Sequence, residues 1–122
     1  MTERDANNRR IAEWLEPMPT AWTGHILDVK PSVWIPVYSA RGNYWKAPDF
    51  YTDESANAML LDAMNTVRQG KGIACSVHLE GESINVYVDQ YSYWRLSRVG
   101  HGFSSDRKTA IASAFIAWKE KS

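Results

Sequence analysis

Over residues 72–99 apolar and polar positions alternate. Ile73, Cys75, Val77 and Leu79 fall on one face of the first run, and Ile84, Val86 and Val88 fall on one face of the next. A period of two over this length is that of half-buried antiparallel strands. Glu80-Gly81-Glu82 between the runs reads as a short hairpin connection. Trp94 and Leu96 carry the alternation into a third strand. A three-strand meander needs cover on its apolar face, and the same pattern supplies helices before and after it. Within 50–69, Ala56, Leu60, Ala63, Met64 and Val67 recur at helical spacing. Thr52 is placed to cap that helix, Asp53 and Glu54 sit in its first turn, Arg68 in its last, and Gly70 suits a left-handed cap. Ala110, Ile111, Ala114, Phe115 and Trp118 make the stripe of a final helix, with Ser104 or Ser105 as its cap and Lys119 and Lys121 at its end. Gly100-His101-Gly102 reads as a flexible bend between the meander and that helix.

The N-terminal part is less regular. Residues 1–9 are polar and are expected to be frayed or disordered. Residues 10–15 read as a short helix with Ile11, Trp14 and Leu15 at i, i+3 and i+4, ended by Pro17 and Pro19. Ile26, Leu27 and Val29 fit a short strand. Residues 33–39 alternate, and Pro36, which lacks an N–H, makes this an edge strand. Arg41-Gly42-Asn43 is a turn that returns through Tyr44 and Trp45. The expected order is α-β-β-α-β-β-β-α in one α+β domain over 1–122, a single twisted antiparallel sheet packed by helices.

Composition narrows the function classes. The 122 residues carry 14 basic and 14 acidic side chains, so the formal net charge is zero. That balance argues against a general nucleic-acid binder and favours self-association. A single cysteine, Cys75, excludes an intrachain disulfide and fits a reducing cytosol; on the inward face of a strand it reads as packing. No apolar run approaches the ~20 residues of a membrane span, and the polar N-terminus is not a signal peptide, so a cytoplasmic protein is expected. Six Trp and six Tyr exceed what the core of such a domain needs. The surplus belongs at the surface, where amphipathic aromatics favour interfaces.

Catalytic constellations are not evident. His25, His78 and His101 lack metal-ligand spacing with one another or with Cys75. Cys75 and His78 fall on opposite faces of one strand, which separates them as a nucleophile pair. Gly70-Lys71-Gly72 lacks the flanks of a phosphate loop. Glu80, Glu82 and Asp89 cluster near a hairpin, with nothing to drive their acidities apart. The chain reads as a non-enzyme without metal or cofactor. Binding candidates are clearer. With Ile84, Val86 and Val88 turned inward, Asn85, Tyr87 and Asp89 face outward. Tyr91, Tyr93, Arg95 and Ser97 are expected to share a face opposite Trp94 and Leu96. Tyr87, Tyr91, Tyr93 and Arg95 then form an aromatic and guanidinium patch of the kind enriched at interfaces and able to stack on bases. The alternative is that helices cover both faces and the tyrosines are half-buried core. A second surface gathers Trp34, Tyr38, Tyr44 and Trp45 around the first hairpin, where an open edge could add strands across a dimer. The partner-binding candidates are therefore Tyr87, Asp89, Tyr91, Tyr93, Arg95, Tyr44 and Trp45.

Three pieces, Asn8-Arg9-Arg10-Ile11-Ala12-Glu13-Trp14-Leu15, Pro48-Asp49-Phe50-Tyr51-Thr52-Asp53 and Thr109-Ala110-Ile111-Ala112-Ser113-Ala114-Phe115, resemble in order and spacing the small phage and prophage proteins of the phage ABA sandwich domain. The resemblance covers most of the chain and departs over 20–37, which is longer and more apolar. The shared motifs are caps and packing positions and carry fold rather than activity. The resemblance implies a phage or prophage gene expressed in a bacterial host's cytoplasm, no catalytic residues, and a role in binding and inhibiting a host defence protein such as a CRISPR effector. An alternative is an oligomeric sponge that sequesters a cyclic nucleotide immune signal. Gly100-His101-Gly102-Phe103-Ser104 before the Ala-rich helix also resembles the entry to the last helix of double-stranded RNA-binding domains, which use lysines there to hold phosphates. The matching places hold Ser105 and Asp106, with Arg107 and Lys108 out of register.

Overall fold

The computed structural model describes residues 2–19 and 33–122. The strand expected around Ile26, Leu27 and Val29 lies outside them, as does His25. The α+β class and the order of elements are those expected: α1 (Glu3–Leu15), β1 (Ile35–Val37), β2 (Tyr44–Lys46), α2 (Glu54–Ala63), β3 (Gly72–Glu80), β4 (Ser83–Ser92), β5 (Arg95–Ser104) and α3 (Arg107–Lys121). The strands make two antiparallel sheets, β1-β2 and β3-β4-β5, in place of the single sheet expected. β1 and β2 are only three residues each, and Pro36 at the centre of β1 has no N–H to donate, so this hairpin offers little to extend. Contacts divide the chain into two compact units, Met1–Asp49 and Phe50–Ser122. Among the described residues no helix is long and apolar enough to cross a membrane.

In the first unit α1 begins at Glu3, so residues 3–9, expected to be frayed, are helical. The reason is a capping box. Asp5 N donates to Thr2 Oγ1 at 3.1 Å, and Thr2 N donates to Asp5 Oδ2 at 3.3 Å. These bonds hold the Asp5 carboxyl below the usual carboxylate range. Asn8, Ile11 and Ala12 form the buried stripe. Asp49 ties α1 to the end of the unit, accepting from Arg4 and from Asn8 Nδ2. Trp34 is buried and its Nε1 donates to Glu16 O at 3.0 Å.

In the second unit α2 is capped by Asp53, not Thr52: Ala56 N donates to Asp53 Oδ1 at 2.9 Å. The helix stops at Ala63 rather than near Gln69. Asn65, Thr66 and Val67 are weak helix formers, and they find better partners along β3: Asn65 Oδ1 accepts from Cys75 N, and Thr66 N and Val67 N both donate to Ile73 O, while Asn65 Nδ2 donates back to Leu61 O at the end of α2. Val67, expected in the inward stripe, is consequently exposed. A tight turn at Gln69-Gly70, both with positive φ, leads into β3.

β5 runs to Ser104, through the glycines expected to form a bend. Val88 pairs with Gly100 and Val86 with Gly102, and both glycines face α3. A β-carbon on Gly102 would lie 2.0 Å from Ala110 O and 2.3 Å from Ala114 N; one on Gly100 would lie 2.9 Å from Trp118 Cβ. The missing side chains let helix backbone rest directly on strand backbone, with Ala110, Ala114 and Trp118 spaced one turn apart along the seam. Val86, Val88, Ile111 and Phe115 fill the core beside it, and α2 packs on α3. Between Val88 and Asp89 the register slips by one, because β5 carries an extra residue, Val99.

Candidate functional site

α3 covers one face of the β3-β4-β5 sheet. The register puts Ser76, His78 and Glu80 of β3, Asn85, Tyr87, Asp89 and Tyr91 of β4, and Leu96, Arg98, His101 and Phe103 of β5 on the other. His78, Leu96, Arg98, His101 and Phe103 are exposed there. The second unit therefore leaves this face open.

The polar groups on it form one chain of contacts. Asn85, almost fully buried, donates from Nδ2 to Glu80 Oε2 at 3.0 Å. That leaves its Oδ1 to accept from His101 Nε2 at 2.7 Å, which sets the His101 tautomer. His101 stacks on Tyr87, ring centroids 4.8 Å apart and planes 11° from parallel. The Tyr87 hydroxyl donates to Glu80 Oε1 at 3.4 Å, and His78 meets the Tyr87 ring edge-on. The Arg98 guanidinium lies 4.1 Å from the Tyr87 centroid and donates from Nε to Asp89 Oδ1 at 3.0 Å. Two carboxylates, Glu80 and Asp89, thus share the cluster with one guanidinium, and the patch is not electropositive. Phe103 (61 % exposed) and Leu96 flank it with apolar surface.

At the end of this face the chain turns through Tyr93 and Trp94. Their φ angles are +53° and +71°, the left-handed pair of a two-residue hairpin turn between Ser92 and Arg95. Both aromatics project, Tyr93 73 % and Trp94 78 % exposed. The turn leans on Gly70: Trp94 N donates to Gly70 O at 3.0 Å, and the indole lies so close over Gly70 that a β-carbon there would sit 2.7 Å from it. Lys71 Nζ is 4.0 Å from the Tyr93 ring centroid. Arg68, Lys71 and Arg95 are exposed around the turn, and among the described residues none of them makes an ion pair.

Of the sequence candidates, Tyr87, Asp89 and Tyr91 share the open face as expected. Tyr93 does not; it and Trp94 are the turn, not strand residues. Arg95 pairs with Ser92 and so faces the opposite way from Tyr91, whose partner is Leu96. The left-handed pair reverses the chain and breaks the alternation expected through 91–97. Arg98, His101, Asn85 and Phe103 complete the cluster. Their signal was the Gly100/Gly102 alternation, which marks a strand against a helix. Tyr44 and Trp45 lie on β2 in the first unit, beside a recess of about 830 Å³ that Trp34, Lys46 and Asp5 also line.

Burial pushes the Cys75 thiol up to about 11, with Arg107 opposing and Asp89 adding to the rise. A thiol so protonated is a poor nucleophile at neutral pH. Among the described residues no group of three or more His, Cys, Asp and Glu is placed to hold a metal ion. At the start of α3, Asp106 is the N-cap and Lys108 Nζ is paired with Glu54 at 2.6 Å. Arg107 is the exposed cation there, short of the lysine cluster that holds phosphates.

Comparisons with protein-family models, curated proteins and solved structures return no match for this chain. The likeness to the phage ABA sandwich domain rests on the quoted sequence pieces.

Proposed function

We propose that the protein acts by gripping a partner protein, without covalent chemistry, through the Tyr93-Trp94 turn and the open sheet face behind it. One observation carries this reading: two bulky aromatics occupy backbone positions that Asn-Gly would fill without strain. A left-handed conformation costs a non-glycine residue on the order of 1–2 kcal/mol. Such strain persists where the residue does other work, and here it presents exposed Tyr and Trp, the types that dominate binding hot spots. The exposed cations Arg68, Lys71 and Arg95 around the turn complement an acidic protein rim. The face behind it, with two carboxylates to one guanidinium, repels a phosphate backbone.

The resemblance to phage proteins supplies a candidate partner, a host defence component such as a CRISPR effector, met in the host cytoplasm. The test is a matched pair: wild type and the double variant Tyr93→Asn with Trp94→Gly. Each is used as bait against a purified effector and in cells defended by it. The expected result is that the variant melts at higher temperature yet loses binding and loses protection of the phage. A variant that binds as wild type does sinks the role of the turn. A small nucleotide retained on wild type, and released intact on heating, would instead favour the sponge.

A further inference from the structure

We propose that β3 pairs with β3 of a second copy, antiparallel about a two-fold axis at His78, to make one six-stranded sheet. β3 is an edge strand, bonded only to β4. Its odd-numbered residues turn their N–H and C=O groups to the free side, as the bonds of Ile73 and Cys75 to Thr66 and Asn65 show. Both outward groups of Ile73 and the N–H of Cys75 are therefore closed off by their own chain. Val77 and Leu79 are not: among the described residues nothing bonds the outward groups of either. Both are exposed, Val77 38 % and Leu79 75 %, although they lie on the face that α3 covers over β4 and β5. An open, apolar edge is what proteins ordinarily guard with lysine, proline or a bulge, and none of these stands at 76–80.

The occupant follows from the register. Antiparallel pairing centred on His78 sets Val77 against Leu79 of the second copy and Leu79 against its Val77. All four open N–H groups then find all four open carbonyls, and the apolar side chains meet in cross-strand pairs. Centring on Val77 would demand the N–H of Cys75, which Asn65 holds; centring on Leu79 would run into the turn at Gly81. On the open face His78 meets its symmetry mate, and Ser76 meets Glu80, a hydroxyl against a carboxylate. The zero net charge of the chain leaves no long-range repulsion between copies. The stretch is short and buries less than the ~800 Å² per partner of stable complexes, so the dimer forms at high protein concentration.

Sedimentation of the full chain from about 10 µM to about 1 mM tests this. Wild type should shift from monomer toward dimer, and Leu79→Lys, a change at an exposed position, should raise the dissociation constant roughly tenfold or more. Register is read by oxidation in a Cys75→Ser background. Residues opposed in a non-hydrogen-bonded pair lie about 4.5 Å apart, within disulfide reach. His78→Cys should therefore cross-link to a covalent dimer, and Ser76→Cys, whose counterpart is Glu80, should not. A wild type that stays monomeric throughout, association untouched by Leu79→Lys, or equal cross-linking of the two cysteine variants would each overturn the pairing.

Discussion

Cys75 illustrates how position sets chemistry at the scale of one residue. Its raised thiol binds a proton more tightly in the folded chain than in the unfolded one. The stability this contributes is complete below the ordinary thiol range and is lost as pH climbs through it toward about 11. Alkylation of the native protein by iodoacetamide should accordingly be slow at neutral pH and quicken only in strong alkali. Unfolded protein should react at the rate of a free cysteine. Rapid modification of native protein at neutral pH would contradict the burial. The inward face of Cys75 was legible from alternation alone. The Tyr93-Trp94 turn was not, because left-handed pairs are read from Gly and Asn, and neither is present.

Among elements, the seam between β5 and α3 depends most on what is absent. Replacing Gly102 by Ala drives a methyl into the backbone of Ala110 and Ala114, which cannot retreat as a side chain would. Overpacking of this kind costs about 1–3 kcal/mol, more where backbone must move. Gly102→Ala should lower the midpoint of chemical denaturation by at least that equivalent, while Gly81→Ala, in open space at a positive-φ turn, should act through backbone strain alone. Equal midpoints for Gly102→Ala and wild type would refute the close contact. This seam escaped sequence reading because apolar periodicity registers side chains, and here strand and helix meet through backbone. The existence and order of the elements were legible, since Leu60, Val86, Ile111 and their neighbours repeat at the right spacing. Ends were not, since the stop of α2 is decided by Asn65 and Thr66 bonding to a strand not yet in view, and the start of α1 by a box that closes on Thr2.

For the molecule as a whole, charge is what separates classes of partner. A ligand held by several phosphate contacts loses roughly 10³-fold in affinity between about 50 and 200 mM salt. A protein partner steered by a rim of three exposed cations should lose less than about tenfold, nearly all of it in the association rate. Surface plasmon resonance at the two salt concentrations distinguishes them, and a collapse of affinity would return nucleic acid to consideration. The neutral total was legible from composition. The uneven distribution, cations at the turn and carboxylates on the open face, required the register.

That register slips at Val99. Arg98 and His101 are an odd number of residues apart and would ordinarily look away from each other; the supernumerary residue between them brings both to Tyr87. Deleting Val99 would close the bulge, with Arg98 opposite Asp89 and Gly100 opposite Val88 in unbroken succession, and would leave His101, Phe103 and both glycines on the faces they now hold. Relatives of this chain that keep the cluster can therefore carry two residues or one between the counterparts of Arg98 and His101, whereas none would send one of the pair to the helix side.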